Sequence, residues 1–141
     1  MASDELNNLV VQLSEHGKML FLEGASEKQI SDFEKKHQIQ FPLQYKEWLL
    51  FSDGGEFFLP AGIQMYGVSH KPIIDVDFND RPDNSYIVIG ATAAGDPILC
   101  NKDNEEICIY NHEVNRIEPD ETYPNFYAFL GNLYDLLGIG G

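Results

Sequence analysis

The chain has 141 residues, of which 43% are hydrophobic and 12% aromatic, and its formal net charge is −14. A chain of this length makes one domain and buries roughly two-thirds of its unfolded surface, which excludes a disordered chain and predicts a packed core. So negative a surface repels nucleic acid and anionic lipid, both polyanions themselves, and suits a basic partner; it serves solubility equally well.

A first helix is predicted over residues 3–16, with Ser3 as cap and Leu6, Leu9, Val10 and Leu13 as its apolar stripe. A second opens after Ser26, whose side chain can cap the first turn while Gln29 reaches back, a capping box. Ile30, Phe33 and His37 follow on one stripe. The third is predicted to begin at Pro42, with Leu43, Tyr45, Trp48 and Leu49 on its buried side. Gly54 and Gly55 should end it in the left-handed conformation.

The pattern then turns to short β-rich runs bounded by Pro and Gly: residues 56–59, 64–68 and 73–78. In the last of these Ile74, Val76 and Phe78 alternate with Asp75 and Asp77, giving one buried and one acidic face. Residues 79–85 read as a loop. Tyr86-Ile87-Val88-Ile89 suits a central strand, and residues 98–100 and 107–110 read as a hairpin around Lys102-Asp103-Asn104-Glu105. There the Asp-Asn pair tolerates the positive φ that such a turn uses. A final helix is expected from about Pro124, with Phe126, Phe129, Leu130, Leu133, Leu136 and Leu137 on its apolar face. Helices at both ends of a block of strands predict one α+β domain over residues 1–141, with a mostly antiparallel or mixed sheet packed against N-terminal helices and a C-terminal helix. The core should hold Ile30, Phe33, Tyr45, Trp48, Leu49, Ile87, Ile89, Phe129, Leu130 and Leu133.

The opening residues Met1-Ala2-Ser3-Asp4-Glu5 lack the basic and apolar parts of a signal peptide, and no apolar run approaches the ~20 residues of a membrane helix. The expectation is a soluble cytoplasmic protein with Cys100 and Cys108 reduced in the core.

The order of these features resembles the SUKH superfamily, which includes fungal cell-wall assembly regulators and many bacterial proteins. The resemblance is carried by Phe33-Glu34, Pro42-x-x-Tyr45, Trp48-Leu49 and Gly54-Gly55. Farther on it is carried by Ile89-Gly90, Gly95-Asp96, Tyr110-Asn111-His112-Glu113 and Phe126 with Phe129-Leu130, so that it covers residues 22–137. It implies a compact α+β fold without catalytic activity or cofactor. It also implies an interaction role, either as an immunity protein that neutralises a toxin such as a nuclease or deaminase, or as a regulatory or scaffolding module of cell-wall or cytosolic processes.

The residues themselves offer little chemistry. Asp75-x-Asp77-x-Asn79 begins like a calcium loop, but Asp80 stands where glycine is needed and Tyr86 where glutamate is. His112-Glu113 begins a zinc-protease pattern that Arg116 breaks. Gly90 to Gly95 lacks the Lys-Ser/Thr ending of a phosphate loop and leads into Asp96-Pro97, so a tight turn is expected. Ser69-His70 has no nucleophile elbow; a small hydrolase there, or a metal enzyme on residues 75–80, is the rival reading. The candidates for a partner-binding surface are Asp75, Asp77, Asp80 and Asp83 with Asp103, Glu105 and Glu106, followed by Glu113, Glu118, Asp120 and Glu121. A basic toxin domain is the expected partner, with neither nucleic acid nor membrane. A solvated surface explains the same residues, and sequence leaves open whether the groups share one face.

Overall fold

The structure, a computed structural model, describes residues 4–58, 62–69, 73–75, 86–93 and 95–132, the side chains of His16 and of residues 118–120 excepted. Among these residues four helices pack against a seven-stranded sheet, so the fold is α+β. The helices are α1 (Asp4–His16), α2 (Glu27–His37), α3 (Leu43–Phe51) and α4 (Phe126–Gly131). The strands are β1 (Leu20–Phe21), β2 (Gly55–Phe57), β3 (Ile63–Met65), β4 (Tyr86–Ala91), β5 (Pro97–Asn101), β6 (Ile107–Asn111) and β7 (Arg116–Tyr123). Spatial order follows chain order from β1 to β7, and every pair is antiparallel.

The helix starts obey the local signals. Ser26 Oγ accepts from the Gln29 amide at 3.1 Å while Gln29 Oε1 accepts from the Ser26 amide at 2.8 Å, completing the capping box. Pro42 is the N-cap of α3 rather than its first residue, its ψ of 149° being extended. Leu43, expected on the buried side, is 69% exposed. It lies about 200° round the helix from Tyr45, so it turns to solvent when Tyr45 turns inward. The glycines do not stop this helix. Ser52 does, in an extended conformation, and Gly54 (φ 99°) and Gly55 (φ 133°) turn the chain into β2 just beyond it.

One face of the sheet carries Phe57, Ile63, Met65, Ile87, Ile89, Ile98, Cys100, Ile107 and Ile109 into the main core beneath the helices. Trp48 lies at the centre of that layer, its ring 5.4 Å from Phe57, 5.8 Å from Phe51 and 5.9 Å from Phe126. Nine of the ten expected core residues are buried here; the tenth, Leu133, lies outside the described residues. Gln44 Oε1 accepts from the Tyr127 amide at 2.9 Å and ties the start of α3 to α4. The opposite face of the sheet buries a smaller cluster, Val88, Leu99, Cys108 and Tyr110.

Three expectations change. Residues 116–123, where the sequence offers candidate acids but no strand, form strand β7 paired with β6. Residues 73–75 make two isolated bridges, Ile73 with Gly67 and Asp75 with Val88, and residues 76–78 lie outside the described region. In the β5–β6 hairpin the left-handed position falls on Glu105 (φ 66°), although Asp103 and Asn104 tolerate it better.

Candidate functional site

The β5–β6 hairpin holds three of the expected partner-binding acids on a firmly tied turn. Asn101 organises it: its Oδ1 accepts from the amides of Asp103 (2.8 Å) and Asn104 (3.3 Å), and its carbonyl accepts from Glu105 at 3.2 Å. Asn104 Oδ1 accepts from the Glu106 amide at 3.0 Å, and the Asn101 amide closes the loop on the Glu106 carbonyl at 2.8 Å. Side chains and amides of asparagine thus fix the backbone, as Asx turns do. Asp103 and Glu105 are left exposed and Glu106 half-buried. No ion pair reaches their carboxylates among the described residues.

The register shows which acids share this end. Tyr86 pairs with Asn101 and Tyr123 with Ile107, so the entry to β4 and the exit of β7, with half-buried Glu121, flank the hairpin tip. Asp75 is not at the tip. It sits beside Val88, at the end of a cross-strand row running Val88, Leu99, Cys108, Thr122. Glu113 lies at the other end of the sheet, in the β6–β7 turn, beside the Asp96–His112 contact that joins this turn to the β4–β5 turn. Asp77, Asp80 and Asp83 lie outside the described residues, as do the side chains of Glu118 and Asp120. The three groups therefore do not merge into one patch among the described residues.

One surface recess adjoins Asp75 and another lies apart from these acids, on the helix layer. A cleft of about 180 Å3 beside Asp75 is lined by Tyr66, Ile73, Val88, Ala91 and Pro97. Burial, and then the charge of Asp75, push the Tyr66 hydroxyl above its ordinary range. A groove of about 330 Å3 runs between α2 and α3.

The candidate nucleophiles are occupied or shielded. Ser69 Oγ donates to Asp53 Oδ2 at 2.7 Å; the same carboxylate accepts from the amides of Val68 (2.7 Å) and Ser69 (2.8 Å). Asp53 is fully buried, and a Cβ on Gly67 would lie 2.7 Å from its Oδ1, so glycine is needed for this close approach. Ser69 is a tie between α3 and the chain after β3, and His70 lies outside the described residues. Sequence reasoning missed Asp53, because it stands in Ser52-Asp53-Gly54-Gly55 like an ordinary helix-ending turn residue. Its signal was only a carboxylate placed where the glycines let the chain fold back.

Cys100 and Cys108 are free and buried on opposite faces of the sheet. Burial first, and neighbouring ionisable groups second, push the Cys108 thiol up to about 12 and Cys100 higher still, so neither is a thiolate near neutral pH. Among the described residues no cluster of His, Cys, Asp and Glu is arranged to hold a metal ion, and no helix is long and apolar enough to cross a membrane.

No curated protein matches the chain. A family model does, over residues 24–132, from the turn before α2 to the end of α4, which takes in the capping box, the Trp48 layer, the Asp53 tie and the acidic hairpin. The chain belongs to the SMI1 / KNR4 family (SUKH-1).

Proposed function

We propose that this protein is a non-catalytic binding module of the immunity type, which neutralises a basic toxin domain by covering it. The observation that carries the reading is the β5–β6 tip: three carboxylates on a turn locked by Asn101 and Asn104, with no cation paired to them among the described residues. Membership of a family that includes immunity and regulatory proteins supports it. So does the net charge of −14, since a nuclease or deaminase that handles a polyanion presents the opposite field. Opposed fields raise association rates and exclude wrong partners more than they deepen affinity.

The test is protection. Cells expressing a toxin encoded beside this gene should survive when the protein is present, and the two should co-purify in equal amounts. Lysine at Asp103, Glu105 and Glu106 together should lower protection while the circular dichroism spectrum stays unchanged. Full protection by that triple variant would place recognition elsewhere. Stoichiometric metal that survives dialysis, or turnover of a substrate by the protein alone, would favour the enzyme reading.

A further inference from the structure

We propose that the groove between α2 and α3 docks a basic amphipathic helix of the partner protein, a proposal that rests on the protein-binding reading above. Its walls are two helical stripes. Glu27, Ile30, Ser31 and Glu34 stand on α2 at i, i+3, i+4 and i+7. Leu43, Lys46, Glu47 and Leu50 repeat the same spacing on α3. Each stripe thus runs straight for two turns, about 10 Å at 1.5 Å per residue, and a third helix can lay a matching stripe between them.

The chemistry of the lining selects the occupant. Ile30, Leu50 and Leu43 form an apolar strip, and Leu43 is the most exposed large hydrophobic residue among those described. Glu27 and Glu47 border it; Glu34 is taken up by the Phe41 amide at 2.8 Å and by Lys46 Nζ at 3.3 Å, so the lysine is neutralised within the groove and the rim stays acidic. An apolar strip edged by acids fits a helix with leucine-like residues at i, i+3 or i+4 and i+7 flanked by Lys or Arg. It opposes a second copy of this chain, because two acidic rims on molecules of charge −14 repel. The groove is built from residues 27–50 on α2 and α3 and the hairpin tip from residues 101–107 between β5 and β6, so the two surfaces share no residue and can be tested separately.

The probe is a synthetic helix of about 15 residues, a length at which a helix begins to hold in water. It carries leucine on one stripe and lysine elsewhere, and is compared with a scrambled peptide of the same composition by amide shift mapping on the isotope-labelled protein. The expected result is saturable shifts at Ile30, Ser31, Lys46 and Leu50 with the amphipathic peptide only. Leu43→Lys should weaken that binding about tenfold or more, and Glu27→Lys less, each with an unchanged circular dichroism spectrum. Shifts confined to residues 102–106 would overturn the groove while leaving the basic-partner reading intact. Equal shifts with both peptides, or none with either, would also overturn it. Groove shifts that appear on concentrating the protein alone would assign the surface to a second copy and contradict the proposal. Absence of protection by the unaltered protein, alongside intact groove binding, would instead count against the immunity reading.

Discussion

The layer around Trp48 and the tip of the β5–β6 hairpin make opposite use of their side chains. Around Trp48, Tyr45, Phe57, Phe126 and Phe129 are almost wholly buried, and their rings meet at 5–6 Å, so what these residues offer is consumed by the fold. At the tip the hydrogen bonds that hold the turn come from asparagine side chains and the main chain, and the carboxylates are left over. Residues that the fold does not need are those that can be given to a partner. The contrast predicts large stability effects with no direct binding role in the first region, and the reverse in the second.

The largest effect should come from Trp48→Ala, which removes a fully buried ring and should cost about 3–5 kcal/mol in chemical denaturation. Trp48→Phe should cost less, because the indole Nε1 makes no hydrogen bond among the described residues. Wild-type stability with lost binding in the alanine variant would break the comparison. Asp53→Ala comes next, at about 2 kcal/mol, because it removes the buried carboxylate that accepts from the amides of half-buried Val68 and exposed Ser69. Hydrogen exchange at those two amides should accelerate while the hairpin amides keep their protection.

The thiols give a pH test. Their folded pKa values lie above the unfolded value near 9, so the folded state holds its protons longer. Stability is therefore intact below pH 9 and falls as pH rises from about 9 toward 12, by about 1.4 kcal/mol per unit for each thiol. At pH 8 neither cysteine should react with a thiol reagent until denaturant is added. A Ser26→Ala change, which removes half of the capping box, should cost about 1 kcal/mol. The smallest stability effect belongs to the tip: lysine at Asp103, Glu105 and Glu106 should stay within about 0.5 kcal/mol of wild type.

What could be read from the residues follows how local each signal is. The capping box at Ser26 and Gln29, the apolar spacing of Tyr45, Trp48 and Leu49, and the strands read at residues 86–89 and 107–110 depend on neighbours in sequence, and all are found within α2, α3, β4 and β6. The two-residue β1 and the acidic β7 were invisible because pairing creates them. Leu20 and Phe21 become a strand by meeting Glu56 and Gly55. Residues 116–123 do so by meeting β6 across a register shift, with Pro119 tolerated on a strand at the end of the sheet order. The positive φ values of Gln38, Phe58 and Glu105 fall on residue types that do not announce them. Of the acids proposed for binding, the hairpin group was legible as a group because a turn brings it together. That Asp75 and Glu113 lie elsewhere depends on strand register, which no local pattern encodes.

The most direct test is the association rate of the partner, followed across a salt series with wild-type protein and with the triple lysine variant of Asp103, Glu105 and Glu106. Wild-type association should slow steeply as salt passes about 0.15 M, where the screening length is near 8 Å. The variant should start slower and depend less on salt, with its unfolding midpoint unchanged. A tight partner whose association rate ignores both salt and the substitutions would contradict the account, leaving the charge to solubility alone.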